Sequence, residues 1–176
     1  MARCRVVRPD VVRLMLVDVH RHELKDLETK VINESDPEKR KALLVEVDAC
    51  RDRIKQAEDD GDWIEVKREL NAGETRRVFT NLVVNMKAGE KPELNPNQVG
   101  KTKILEYVVG WSLVNFDGSP LPFSAGALDS QDQDTYSEIA KAVDLHEERV
   151  EQERVERKKI RRTPTTSEVI LQSAAS

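Results

Sequence analysis

The sequence predicts an α+β protein, mostly α: a short two-stranded antiparallel β element packed on a helix cluster, with an inserted helical hairpin and a long C-terminal helix. Three observations predict it. Two short runs of alternating apolar residues, at 11–17 and from Asp62 onward, have strand character. Between them the apolar residues step by three and four, as on one face of a helix. A third, highly charged helical pattern starts near Asp132 and runs toward the C-terminus.

The first run, "VVRLMLV", carries β-branched residues with Val12, Leu14 and Leu16 at period two. The second, "DWIEVKREL", sets Ile64 and Val66 against Glu65 and Lys67. Two such strands pair naturally as a hairpin, whose turn ordinarily takes about two to five residues. Here residues 19–60 intervene, so they are expected to form an inserted arm. His20, Leu24, Leu27 and Val31 mark its first helix, and Leu43, Val47, Cys50, Ile54 and Ala57 its second, with "NESDP" as the break. Ser35 or Asp36 can cap the second helix, with Pro37 in the first turn, where its missing N–H costs nothing. "DDGD" at 59–62 has the composition of the turn that the insertion interrupts. A hairpin with so few buried side chains is expected to be marginal alone and to lean on the body or on a partner.

After the second strand, Asn71 and Glu74 are spaced for a capping box. Val78, Phe79, Leu82, Val83 and Met86 then line one helix face, and "AGEKPELNPN" connects to a helix starting near Asn97. That helix is expected to present Ile104, Leu105, Val108 and Trp111, with Tyr107 beside them. Trp63, Phe79, Trp111 and Phe116 are expected to be the large core residues. Asp117-Gly118 is a turn, and the proline-limited "SPLPFS" is expected to lie extended across the helices. In the last helix Tyr136, Ile139, Val143, His146 and Val150 form the apolar stripe, after which charge takes over. The expected organisation is a discontinuous core domain of 1–18 and 61–153, an arm at 19–60, and a projecting helix end with a mobile tail at 154–176.

With 35% charged, 38% hydrophobic and 4% aromatic residues, the chain has a modest core and much solvated helix surface. Its net charge of −4 provides no global basic field for nucleic acid or an anionic membrane. Two cysteines, Cys4 and Cys50, make no disulfide framework and point to a reduced, intracellular setting. The N-terminal "MARCRVVRPDVVRLML" is broken by Arg8, Pro9, Asp10 and Arg13, so it reads as neither a signal peptide nor a membrane span.

Chemistry-bearing motifs are few. Gly100-Lys101-Thr102 ends like a phosphate-binding loop, but Asn95 stands where the first glycine belongs and Pro92 and Pro96 break the approach. An ordinary helix start is expected there. His20 and His22 point about 200° apart on a helix and cannot chelate one ion together, so a solvated helix start is expected. His146 falls on the apolar face of the last helix and reads as a core or boundary residue. Glu147 with Glu151, and Asp129 with Asp132, read as helix surface and caps, since no nucleophile or oxyanion donor accompanies them. "RKKIRR" supplies a basic patch of Arg157, Lys158, Lys159, Arg161 and Arg162, which can offset the helix dipole and pair with the preceding glutamates. No catalytic, cofactor-binding or metal-binding residue is assigned.

Three stretches together, "DGDWIEVKRELNAGETRRVF", "ILEYVVGWSLVNFDGSPLPFS" and "LDSQDQDTYSEIAKAVDLHEER", resemble tail assembly chaperones of long-tailed, siphovirus-like bacteriophages. The resemblance covers residues 11–18 and 61–153. It rests on a tryptophan-bearing strand leading to a "GE" helix start, a "WSL" followed by an Asp-Gly turn and prolines, and a final amphipathic helix near "DTY". The insertion at 19–60 departs from that pattern. The resemblance implies a non-enzymatic, soluble protein of the host bacterial cytoplasm. It would bind the tape measure protein and keep it from aggregating during tail assembly.

The resemblance also implies a longer form of the chain made by ribosomal frameshifting, with Lys158-Lys159 as a candidate slippery codon pair. No small-molecule substrate or membrane is expected, and nucleic acid is not a favoured partner. A helical client would dock against apolar helix faces, with Leu24, Leu27, Val31, Leu43 and Val47 as candidate anchors unless they serve packing within the hairpin. The alternatives are a structural virion protein, a tail or head-tail connector component, and a small nucleic-acid-binding regulator acting through "RKKIRR".

Overall fold

The computed structural model describes residues 10–84, 93–94 and 96–162, with side chains described for 10–80 and 100–159. In order, the elements are β1 (Val11–Met15), α1 (Val17–Asn33), α2 (Pro37–Asp60), β2 (Trp63–Lys67), α3 (Ala72–Leu82), β3 (Val83–Val84), β4 (Glu93–Leu94), α4 (Pro96–Tyr107), β5 (Val108–Trp111), α5 (Ala125–Asp129) and α6 (Gln133–Arg162). The chain divides into two compact units, residues 1–144 and 145–176, the division falling within α6. Among the described residues, no helix is long and apolar enough to cross a membrane.

The fold is mostly helical with a small antiparallel sheet, but the main sheet has three strands rather than two, in the order β1-β2-β5. β1 pairs with β2 in unbroken register from Val11 opposite Lys67 to Met15 opposite Trp63. β5 is the unexpected member. The expected helix through Trp111 stops at Tyr107, where Val108 and Val109 turn the backbone to strand and pair with β2. The error has a physical source: Ile104, Val108 and Trp111 are all buried, and their four- and three-residue spacing fits a helix face. Two adjacent β-branched residues before Gly110 favour strand at that point. β3 and β4 form a separate two-residue pair, Val83 opposite Leu94.

α1 and α2 fill the interval between β1 and β2. The strand ends at Met15, short of the expected Val17, because α1 starts at Val17 and already buries Leu16, Val17 and Val19. Asp36 caps α2, its carboxylate accepting from the N–H groups of Glu38 and Lys39, with Pro37 in the first turn. "DDGD" is not a surviving turn. Asp59 and Asp60 are helical, and Gly61 ends α2 in the left-handed conformation, φ 66°, its N–H reaching Ala57 O. Ion pairs bridge the two helices from Arg21 to Glu58 at 2.6 Å and from Arg51 to Glu28 at 3.2 Å.

The capping box at α3 forms as the spacing requires. Asn71 Oδ1 accepts from Gly73 and Glu74, while the Glu74 carboxylate accepts from the Asn71 N–H at 2.8 Å. Lys67 pairs with the same carboxylate at 2.9 Å. α5 was not anticipated; it is a single capped turn, with Ser124 Oγ accepting from Ala127 N–H, and it buries Ala127 and Leu128. Asp132 caps α6 by accepting from Asp134, Thr135 N–H and the Thr135 hydroxyl.

In the unit of residues 1–144, Ile64, Val66, Ile104, Leu128, Ile139, Val143 and Cys50 are fully enclosed. Trp111 belongs to this core, Trp63 is only half-buried, and the other two expected aromatics lie outside it. Phe79 is 63% exposed, because Val78 takes the inward position of α3 and the next residue lies about 100° around the helix. Phe116 is fully exposed on the tip of a turn. "SPLPFS" packs on Trp111 rather than across the helices: the indole N–H donates to Leu121 O at 2.5 Å, and Phe123 meets the ring edge-on at 5.0 Å. Val83, expected on that helix face, belongs to the short β pair instead, and Met86 lies outside the described residues.

Candidate functional site

The five candidate anchors on the arm divide. Leu24, Leu27, Val31 and Leu43 are half-buried on α1 and α2, and Val47 is buried, so Val47 offers a partner no surface. Three other apolar side chains of these helices stand in solvent: Ile32 at 76%, Val45 at 67% and Leu44 at 48% exposure. Sequence reasoning passed over them because none lies on the three- and four-residue stripe that it followed. Their positions explain the exposure. Ile32 follows Val31 and Leu44 follows Leu43, each rotated about 100° from the half-buried neighbour.

At His20 the helix start is buried rather than solvated as expected. His20 is 5% exposed, and its Nε2 lies 2.9 Å from Glu138 Oε1 of α6. Its Nδ1 is buried, 3.6 Å from Glu23 Oε2, and makes no hydrogen bond. Glu23 in turn accepts from Lys141 and lies 3.6 Å from Arg53 of α2. Burial pushes the Glu23 carboxyl up, but the Lys141 hydrogen bond and the charges of Lys141 and Arg53 outweigh it and hold the group below its ordinary value. The cluster thus ties α1, α2 and the first half of α6 through charge. The Cys50 thiol donates to the His20 carbonyl, 3.4 Å away. His22, on the other side of α1, is exposed and lies 3.4 Å from Asp26.

His146 is buried, as its place on the apolar stripe required. Gly100, Lys101 and Thr102 lie inside α4, as expected of an ordinary helix, and Lys101 pairs with Asp129 at 2.6 Å. Asn95 lies outside the described residues. Near this pair, Leu128, Asp129, Gln131, Gln133 and Tyr136 line an open hollow of about 320 Å³. Burial raises the Tyr136 phenol, opposed by the Lys101 charge. Among the described residues, no group of three or more His, Cys, Asp or Glu is placed to hold a metal ion.

In the unit from Leu145 onward, Arg157 pairs with Glu153 at 3.0 Å, and Lys158 and Lys159 are exposed on the same helix. Arg161 and Arg162 belong to α6, and their side chains lie outside the described residues. Glu148, Glu151, Gln152, Val155, Glu156 and Lys159 border a shallow groove of about 400 Å³ along it.

Phe116 is held out by a braced turn. Asn115 N–H donates to Ser119 O at 2.8 Å, Gly118 N–H donates to Asn115 O, and Gly118 takes φ 77°. Asp117 Oδ1 accepts from both the hydroxyl and the N–H of Ser119, which holds its carboxyl below the usual range. No family model matches the chain, and no curated protein or solved structure does either.

Proposed function

We propose that this protein is a tail assembly chaperone of a long-tailed bacteriophage, acting in the host bacterial cytoplasm on the tape measure protein. One observation carries the reading: Ile32, Leu44 and Val45 remain in solvent on two helices whose stripe residues are half-buried or buried. Apolar side chains presented on helices suit a helical, amphipathic client, which they would cover in place of its own partners until the tail tube forms. The resemblance of residues 11–18 and 61–153 to such chaperones supplies the identity of the client. The fully exposed Phe116 is a second apolar element of the kind that binding surfaces use as an anchor. A longer, frameshifted form of the chain belongs to the same reading.

Co-expression with the phage's own tape measure protein tests it. The expected result is a client that stays in the supernatant only in company, and that precipitates again when Ile32→Asp and Val45→Asp are introduced together. A client equally soluble alone, or equally protected by the double variant, overturns the assignment of the arm.

A further inference from the structure

The two edges of the β1-β2-β5 sheet differ in how they are finished. On the β5 side the register slips between Glu65 and Val66, leaving Val109 as an extra residue, and Gly110 follows. The chain then returns along that edge: Leu121 N–H donates to Leu113 O, Val114 bridges Pro120, and the Trp111 indole reaches Leu121 O. Bulge, prolines and a covering segment are the devices that close an edge to further pairing.

Among the described residues, β1 has none of them. Its register is unbroken over five residues, with no glycine, proline or bulge. Leu16 N–H bonds to Asp62 O and Arg68 N–H bonds to Asp10 O, so the even-numbered residues face β2. The antiparallel alternation then points the N–H and C=O of Val11, Arg13 and Met15 away from the sheet. Arg13 is folded back on its own sheet, with its guanidinium 4.0 Å above the Trp63 ring and 2.8 Å from the Glu65 carboxylate. Val11 at 42% and Met15 at 36% exposure flank it.

We propose that β1 is a strand-addition site that takes an extended segment of another polypeptide, one with apolar side chains at the two positions facing Val11 and Met15. A row of outward backbone donors and acceptors is satisfied in register only by another extended backbone, and Val11 and Met15, with Arg13 between them, favour apolar side chains at the two positions that face them. A second copy of this chain is the poorer occupant. The two-fold pairing that sets Val11 against Met15 of the copy places Arg13 opposite Arg13, two like charges face to face. The site stands apart from the helical surface of the arm, and its partner is an extended segment rather than a helix.

The test is amide hydrogen exchange on the full chain, with and without a short synthetic peptide of alternating threonine and valine ending in lysines. Exchange at Val11, Arg13 and Met15 is expected to slow by about tenfold or more at saturation, with Val12 and Leu14 little changed. The same peptide N-methylated at alternate residues is expected to give no slowing. Arg13→Pro, which removes only an outward N–H from the backbone, is expected to abolish binding that Arg13→Ala retains. Four results would each overturn the proposal: no protection by the peptide, equal protection by its methylated form, protection of these amides in the dilute chain alone, or protection that grows with protein concentration without peptide. If Arg13→Pro fails to fold, the methylated peptide still decides.

Discussion

His20 Nε2 on α1 and Glu138 Oε1 on α6 lie 2.9 Å apart, which fastens the root of the inserted helices to the long C-terminal helix. The imidazole is buried while the Glu138 side chain is 31% exposed, so removing His20 costs its packing and this contact, and water can still reach the carboxylate. His20→Ala is therefore expected to lower stability by about 1–3 kcal/mol, while His22→Ala, on the exposed side of the same helix, should stay within about 0.5 kcal/mol. Urea unfolding of the two variants side by side checks the contrast.

Glu23 gives the same junction a pH dependence whose sign is fixed. Its carboxyl is held below the ordinary value in the folded chain despite burial, chiefly through Lys141. The folded state therefore binds that proton less tightly than the unfolded state. The contribution is fully present above the ordinary glutamate range and is lost as pH falls through the lower folded value. Glu74, held down by Lys67, and Glu106, held down by Arg77, act in the same direction. The urea midpoint should fall as pH drops below the ordinary glutamate range. In Lys141→Met the fall should be shallower, because one of the three carboxylates then titrates closer to its unfolded value.

How legible this molecule was depends on whether a feature is set by neighbours in sequence. The Asn71–Glu74 capping box, the Asp36–Pro37 helix start and the Asp117-Gly118 turn formed as read, since each is fixed by a few adjacent residues, and the pairing of β1 with β2 was legible across the insertion because each strand carries its own apolar alternation. β5 was hidden because a run that buries Ile104, Val108 and Trp111 satisfies helix spacing and a strand continuing the helix equally well. α5 is too short for any period to show. The His20–Glu138 contact joins residues from opposite ends of the chain, and no local pattern announces it. Phe79 and Phe116 are exposed although aromatic, because the burial of large apolar residues is a rule that runs only one way and apolar side chains are common on surfaces.

Gly61 offers a backbone test free of packing effects. It ends α2 at φ 66°, and a Cβ built there meets nothing within 4 Å. Any cost of substitution is therefore conformational. Gly61→Ala should destabilise by about 1 kcal/mol, and Gly61→Asn by less, because asparagine tolerates the left-handed region. Thermal melts ranking the chain as glycine, then asparagine, then alanine would confirm that this cap sets where α2 hands over to β2.

The core should respond in the opposite way, through volume. Ile139 on α6 is fully buried, as are Ile64 on β2 and Leu128 on α5. Truncating Ile139 or Leu128 to alanine leaves a cavity that close-packed neighbours fill only in part, at a cost of about 2–5 kcal/mol. Ile32→Ala, on a side chain already in solvent, should cost under about 0.5 kcal/mol. The comparison also bears on function. If Ile32→Ala were as damaging to stability as Leu128→Ala, the arm's exposed residues would be structural, and a surface kept free for a partner would have to be sought elsewhere. Chemical denaturation of the three variants, read together with client solubility in the co-expression experiment, separates a residue that holds the fold from one that the fold holds out.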